Sequence, residues 1–182
     1  QRFGVDKPFD VTVVREEIQI KSVPYSGMLN SEVGYVNLSS FTDNCSAEVK
    51  EAIVELKKQG MTKLVLDLRG NPGGLLKEAV LLSNLFVPKG EMIVSTKGKV
   101  KDWNKDYKAT EVPLDKDMPL AVLVNRGSAS ASEIVSGVIQ DLDRGVIIGQ
   151  RTFGKGLVQT TRPLSYNSQL KVTTAKYYIP SG

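Results

Sequence analysis

The chain has no histidine. That absence removes Ser-His-Asp and Cys-His catalysis, His-ligated zinc or haem, and pH sensing by imidazole. A single cysteine, Cys45, removes any intrachain disulfide and any all-cysteine metal site. No apolar run approaches the roughly twenty residues that a membrane-spanning helix needs. Charge of one sign is scarce as well. The formal net charge is +4, and the only dense basic stretch, residues 97–108 (KGKVKDWNKDYK), is broken by acidic residues. It reads as a solvated loop rather than a nucleic-acid face. Acid–base chemistry near neutral pH is therefore left to a carboxylate, a lysine or a tyrosine.

What is present suits one globular domain. The 182 residues, 41% of them hydrophobic, are enough to bury a substantial core. The chain opens on Gln1 with no signal-peptide pattern and stops at Gly182 after a strand-like run, which reads as an excerpt of a longer polypeptide. The lack of a targeting signal then says nothing about location.

Residues 9–14 (FDVTVV), 18–22 and 33–38 (VGYVNL) are expected to be strands, with a loop over 24–32. Val49, Ala52, Ile53 and Leu56 recur at the spacing of an amphipathic helix within 45–59, which Gly60 would cap. Residues 63–68 (KLVLDL) form a short buried strand. The loop 69–74 (RGNPGG) feeds a helix over 75–87 that is apolar nearly all round and so should be buried. A strand over 92–95 precedes a polar loop, 97–113. Residues 120–125 (LAVLVN) are another buried strand, and 127–131 turn into a helix ending near Leu142. Strands are expected at 146–149 and on either side of a turn at Asn167, with 150–156 as loop. Apolar strands alternating with helices predict an α/β (mixed α+β) core: a mixed, partly parallel sheet covered by helices, the late hairpin making it mixed. Reactive groups in such sheets gather where strands end and helices begin.

Three segments offer chemistry. The first, 127–133 (GSASASE), places three serines at a helix mouth. Capping accounts for one or two of them. The third hydroxyl sits between small neighbours, near unpaired N–H groups and the positive end of the helix dipole, where an oxyanion is stabilised. The second, 149–156 (GQRTFGKG), matches the opening of a phosphate-binding loop. Gly156 stands where a magnesium-binding hydroxyl belongs, and the β-branched, proline-containing run that follows is not the helix such a loop requires. Alternatively Lys155, flanked by glycines and by Phe153, Leu157 and Val158, is a base. A lysine of pKa ~10.4 must be brought to roughly 7–8 by desolvation for that task. The third segment, 69–74, reads as a tight turn, or as paired glycines whose N–H groups hold an oxyanion or a peptide backbone.

Together LVLDLRGNPGG, GSASASEI and GQRTFGKGLVQ, in that order, resemble the carboxyl-terminal processing (tail-specific) serine proteases over most of residues 33–182. The resemblance implies a core similar to ClpP and the crotonases and a serine endopeptidase with a Ser/Lys dyad. By position it makes Ser130 the nucleophile, Lys155 the base and Gln159 the orienting amide. It assigns the oxyanion hole to the N–H of Ala131 and one from Gly73 or Gly74, with Thr152 and Asp141 in support. Lys155 and Gln159 lie roughly 13 Å apart on a straight strand, so their contact requires a helical turn or bend across Gly156. Residues 1–17 would be the remnant of a preceding PDZ module or a lead-in strand, and 18–182 the protease core. The resemblance calls for no metal or cofactor. It implies polypeptide substrates with exposed C-terminal tails rather than nucleic acid, no membrane span here, and an exported location such as the bacterial periplasm or cell envelope. Homo-oligomers would form through segments outside this chain.

Overall fold

A computed structural model describes residues 3, 4, 7, 9–16, 18 and 20–182. Two sheets and three α-helices carry the architecture. The first sheet has five strands: β1 (Tyr25–Met28), β2 (Val33–Asn37), β3 (Lys63–Asp67), β6 (Leu120–Val124) and β7 (Val146–Gly149), ordered β1-β2-β3-β6-β7. The last four are parallel and β1 is antiparallel to β2. The second sheet is antiparallel, ordered β5-β4-β9-β8, from β4 (Met92–Gly98), β5 (Lys105–Lys108), β8 (Leu157–Pro163) and β9 (Gln169–Tyr178). The first sheet is mixed because of β1. The late hairpin, whose turn residues Tyr166 and Asn167 both have φ 56, belongs to the second sheet.

The parallel strands step across the sheet in one direction. Crossovers of the usual right-handed sense then put every connecting helix on the same face. Those helices are α1 (Cys45–Lys58), α2 (Leu76–Asn84) and α3 (Ala131–Asp141), with α2 packed between the other two. Along β6, Leu120, Val122 and Val124 are buried while Ala121 and Leu123 are half-buried, the period-2 pattern of a sheet covered on one face. The core joins Val36, Leu64, Leu66 and Val122 of the sheet to Val49 and Ile53 of α1, Leu82 of α2, and Ile134, Val135, Val138 and Ile139 of α3. Among the described residues no helix is long and apolar enough to cross a membrane.

Several expectations change. No strand forms at residues 9–14, where the backbone is irregular and exposed. β-branched residues gain from a strand only when a neighbouring ladder receives them, and here none does among the described residues. Residues 18 and 20–22 are not strand either, and residue 19 lies outside the described residues. The expected loop at 24–32 contains β1, which exists by pairing with β2. Likewise the polar stretch 97–113 contains β5, whose partner is β4. The helix α2 stops at Asn84, because Leu85 and Phe86 donate instead to carbonyls three residues back. It is also not buried all round, since Leu81 is 39% exposed.

Candidate active site

β3 and β6 are adjacent and parallel, so the loops leaving their C-terminal ends meet at one edge of the sheet. Hydrogen bonds stitch those loops together. Ala129 N–H donates to Asn71 O at 3.0 Å, and Gly70 N–H to Asn125 Oδ1 at 2.8 Å. Two of the three serines serve this framework. Ser128 Oγ donates to Leu68 O at 2.7 Å and accepts Asn125 N–H, while Ser132 Oγ donates to Asn71 O at 3.0 Å. Both are fully buried. Ser130 is half-buried and faces a cleft of about 360 Å³ that it shares with Lys155, Gly74, Ala131 and Gln159.

Ser130 is the N-cap of α3 with φ 56 and ψ −112, a backbone outside the ordinary regions for a residue with a Cβ. Such strain costs of order 1–3 kcal/mol and persists only where surroundings enforce it. Glu133, one turn into the helix, does much of the enforcing: its Oε2 accepts Ser130 N–H at 2.8 Å. The same carboxylate reaches across to the loop between β7 and β8. It accepts Lys155 N–H at 2.9 Å, Gly154 N–H at 2.6 Å and Thr152 Oγ1–H at 2.7 Å. One anion therefore joins the serine elbow to the lysine loop. Phe153 N–H adds a bond to Ser128 O at 3.0 Å.

Lys155 is half-buried, and its ammonium makes no ion pair among the described residues. After it comes β8, not a helix, so this loop lacks the helix N-terminus that would hold a nucleotide phosphate. A β-bulge between Val158 and Gln159 turns both of these residues toward the cleft. The expected helical turn across Gly156 does not form. The Gln159 amide itself donates to Thr173 Oγ1 at 3.5 Å. Tyr177 of β9 closes the back of the cleft. Its hydroxyl hydrogen-bonds with Ser130 O at 3.1 Å and with Lys155 O. Burial first, and then the Glu133 charge, push this phenol well above its ordinary pKa, so it remains a donor.

Asn71, fully buried, shapes the glycine loop. It donates Nδ2–H to Leu38 O at 2.8 Å, and its Oδ1 accepts Gly73 N–H at 2.9 Å. The N–H groups of Gly74 and Ala131 have no hydrogen-bond partner among the described residues. Gly73, at φ 91, lies directly over the elbow: a Cβ there would come within 2.6 Å of Ala129 O and 2.8 Å of Ala131 N. Asp141 sits elsewhere. It is eleven residues along α3 from Ser130, about 16 Å at 1.5 Å per residue, and accepts Ser181 N–H at 2.9 Å. A larger hollow of about 900 Å³, lined by Lys63, Met118 and Leu120, lies at the N-terminal ends of β3 and β6 and includes none of these residues.

Ser130, Lys155 and the unpaired N–H groups of Gly74 and Ala131 thus line one cleft. Residues 32–182 match the model of peptidase family S41, and the chain belongs to that family. It is 46% identical over its whole length to the carboxy-terminal-processing protease of Bartonella bacilliformis, covering 42% of that protein. It is 42% identical, over 95% of its length, to a probable CtpA-like serine protease of Staphylococcus aureus, of which it covers 34%. The chain thus spans less than half the length of these relatives. Among solved structures, the photosystem II D1 C-terminal processing protease superposes with a TM-score of 0.72 at 41% identity, over 89% of this chain and 41% of that one. A putative S41 protease from Bacteroides fragilis gives a TM-score of 0.76 at 20% identity, over 90% of this chain and 48% of that one, and so shares the fold. The mixed α+β core is that of S41 peptidases.

Glu133, Asn71 and Tyr177 are the site residues that sequence reasoning missed. Glu133 was accessible, because Ser130-x-x-Glu133 is the signature of a capping box. Asn71 and Tyr177 carry no such local signal.

Proposed function

We propose that this chain is the catalytic core of a serine endopeptidase that cleaves polypeptides near their C-terminal tails through a Ser130/Lys155 dyad. The observation that carries this reading is the shared cleft: the one serine not consumed by the framework, the lysine without an ion pair, and two unpaired N–H groups face it together. The Ser130 hydroxyl attacks the scissile carbonyl, forming the C–O bond as its proton passes to the neutral Lys155 amine. The carbonyl oxygen becomes an oxyanion. Ala131 N–H and Gly74 N–H receive it, Gly73 being excluded because its N–H is held by Asn71. A donor of this kind is worth about a hundred- to a thousand-fold in rate. Collapse breaks the C–N bond, and the proton on Lys155 goes to the leaving amine. Water, losing a proton to the same lysine, then adds to the acyl-enzyme; collapse breaks the ester C–O bond, Lys155 returns that proton to the Ser130 oxygen, and the new C-terminal carboxyl group leaves.

Gln159 lines the cleft as a neutral amide, able to hold an amine without adding charge. Thr152 supports the base through Glu133, and Asp141 supports the segment after β9. On this reading residues 18–182 are the protease core, and 1–17 are the remnant of a preceding PDZ module or a lead-in segment. An exported location in the bacterial envelope fits the similarity to bacterial C-terminal processing proteases. A fluorophosphonate probe and an unstructured, apolar-tailed peptide test the assignment. Ser130→Ala should lose probe labelling and at least about a thousand-fold in turnover, and Lys155→Ala should do the same. Undiminished turnover in Ser130→Ala overturns it.

A further inference from the structure

We propose that Tyr177 is a positioning residue that sets the base loop against the nucleophile's elbow, with the segment after β9 acting as its anchor; this rests on the Ser130/Lys155 reading. The contacts on the two residues are complementary. Glu133 takes the N–H of Ser130 and the N–H of Lys155, and Tyr177 meets the carbonyl of Ser130 and the carbonyl of Lys155. The Ser130 carbonyl also accepts Glu133 N–H at 2.9 Å and Ile134 N–H at 3.0 Å, and the single phenol proton is shared between it and the Lys155 carbonyl; the two N–H groups and the Lys155 carbonyl depend on these two side chains. Three sequence-distant segments, near residues 130, 155 and 177, meet at one phenol.

Tyr177 is itself held in place. Its N–H donates to Gly156 O at 3.1 Å, just beyond the lysine. Two residues on, Ile179 packs on Gly137 of α3, where a Cβ would come within 2.8 Å of its Cδ1. Ser181 N–H then bonds to Asp141 at 2.9 Å. The segment 177–181 thus runs along α3, the helix that starts at Ser130, and presses the lysine loop toward that helix's first turn. Removing one hydroxyl leaves the packing intact and cuts only the tie between the two backbones. A misplacement of about 1 Å between reacting groups costs up to about a hundred-fold in rate, which gives the tie its kinetic weight.

The experiment measures kcat and KM on an apolar-tailed peptide from pH 5 to 10, with circular dichroism and thermal melts, for the intact wild-type protein, Tyr177→Phe, Ser130→Ala and Lys155→Ala. Tyr177→Phe should lose about ten-fold or more in kcat at every pH with KM within two-fold, and keep the wild-type spectrum. A structural tyrosine would move the melt and leave kcat alone. Turnover by Tyr177→Phe within two-fold of wild type, with the other two variants inactive, overturns the positioning role only. Activity in Ser130→Ala or Lys155→Ala, or none in the wild type, overturns the underlying reading instead. If Tyr177→Phe does not fold, Asp141→Ala decides by releasing the far anchor: a kcat loss of three-fold or more supports the inference, and a smaller one rejects it.

Discussion

The helices α1 and α3 begin in parallel ways and to different ends. Each starts on a non-glycine residue of positive φ, Asn44 at 67 and Ser130 at 56, and each has a glutamate against its first turn. At α1 the glutamate comes from a neighbour: Glu78 of α2, almost wholly buried, accepts Ser46 N–H at 2.9 Å and Ser46 Oγ–H at 2.6 Å. That bond locks two helices together. At α3 the glutamate is the helix's own and faces outward to another loop, so it joins the Ser130 elbow to the Lys155 loop. The backbone differs too. Asn44 has ψ 7, in the left-handed region that asparagine tolerates, whereas Ser130 has ψ −112, which no side chain favours. Similar devices give a cheap joint in one place and a strained, functional one in the other.

Substitutions can break or sharpen that contrast. Glu133→Gln presents an NH₂ to donors that need an acceptor, and should lower kcat by about a hundred-fold through misplacement, read from steady-state kinetics with a thermal melt alongside. Glu78→Gln should do the reverse. It should cost about 1–3 kcal/mol by denaturant titration as buried donors lose their charged partner, with kcat within two-fold of wild type. A kinetic loss in Glu78→Gln, or none in Glu133→Gln, would erase the distinction. Ser130→Gly relieves a strained φ and should be more stable than Ser130→Ala by about 1 kcal/mol, whereas Asn44→Gly should change stability by only a few tenths. The smallest effect concerns acid. Burial alone would raise Glu78, but hydrogen bonds from Ser46 outweigh it and hold the carboxyl below its ordinary value. A depressed folded pKa means stability that is present above the unfolded value, about 4.3, and lost as pH falls through the folded one. The melting temperature should therefore drop less between pH 6 and pH 3 in Glu78→Gln than in wild type.

Much of this was legible in the chain, for identifiable reasons. Apolar spacing placed α1 and α3, and continuous apolar runs placed β3 and β6, because burial of those side chains drives those elements. β1 and β5 were not legible. Tyr-Ser-Gly-Met and Lys-Asp-Tyr-Lys have no strand pattern of their own and are strands only because β2 and β4 offer them hydrogen bonds. Residues 9–14 erred in the opposite sense, with strand composition but no strand. The three reactive segments could be read because each is local. Which of Gly73 and Gly74 keeps a free N–H could not, because Asn71 occupies that of Gly73 through a side-chain bond that spacing does not reveal. Tyr177 was invisible since its partners lie 47 and 22 residues away.

Under the proposed Ser130/Lys155 dyad, the order of parts along the chain would act as a safeguard. Ser130 arrives at the head of α3, Lys155 only with the loop after β7, and the Tyr177 phenol only at the end of β9. Synthesis proceeds from the N-terminus. On that reading, a chain cut short before residue 177 would carry the Ser130 hydroxyl without a secured base and would be inert toward the polypeptides around it.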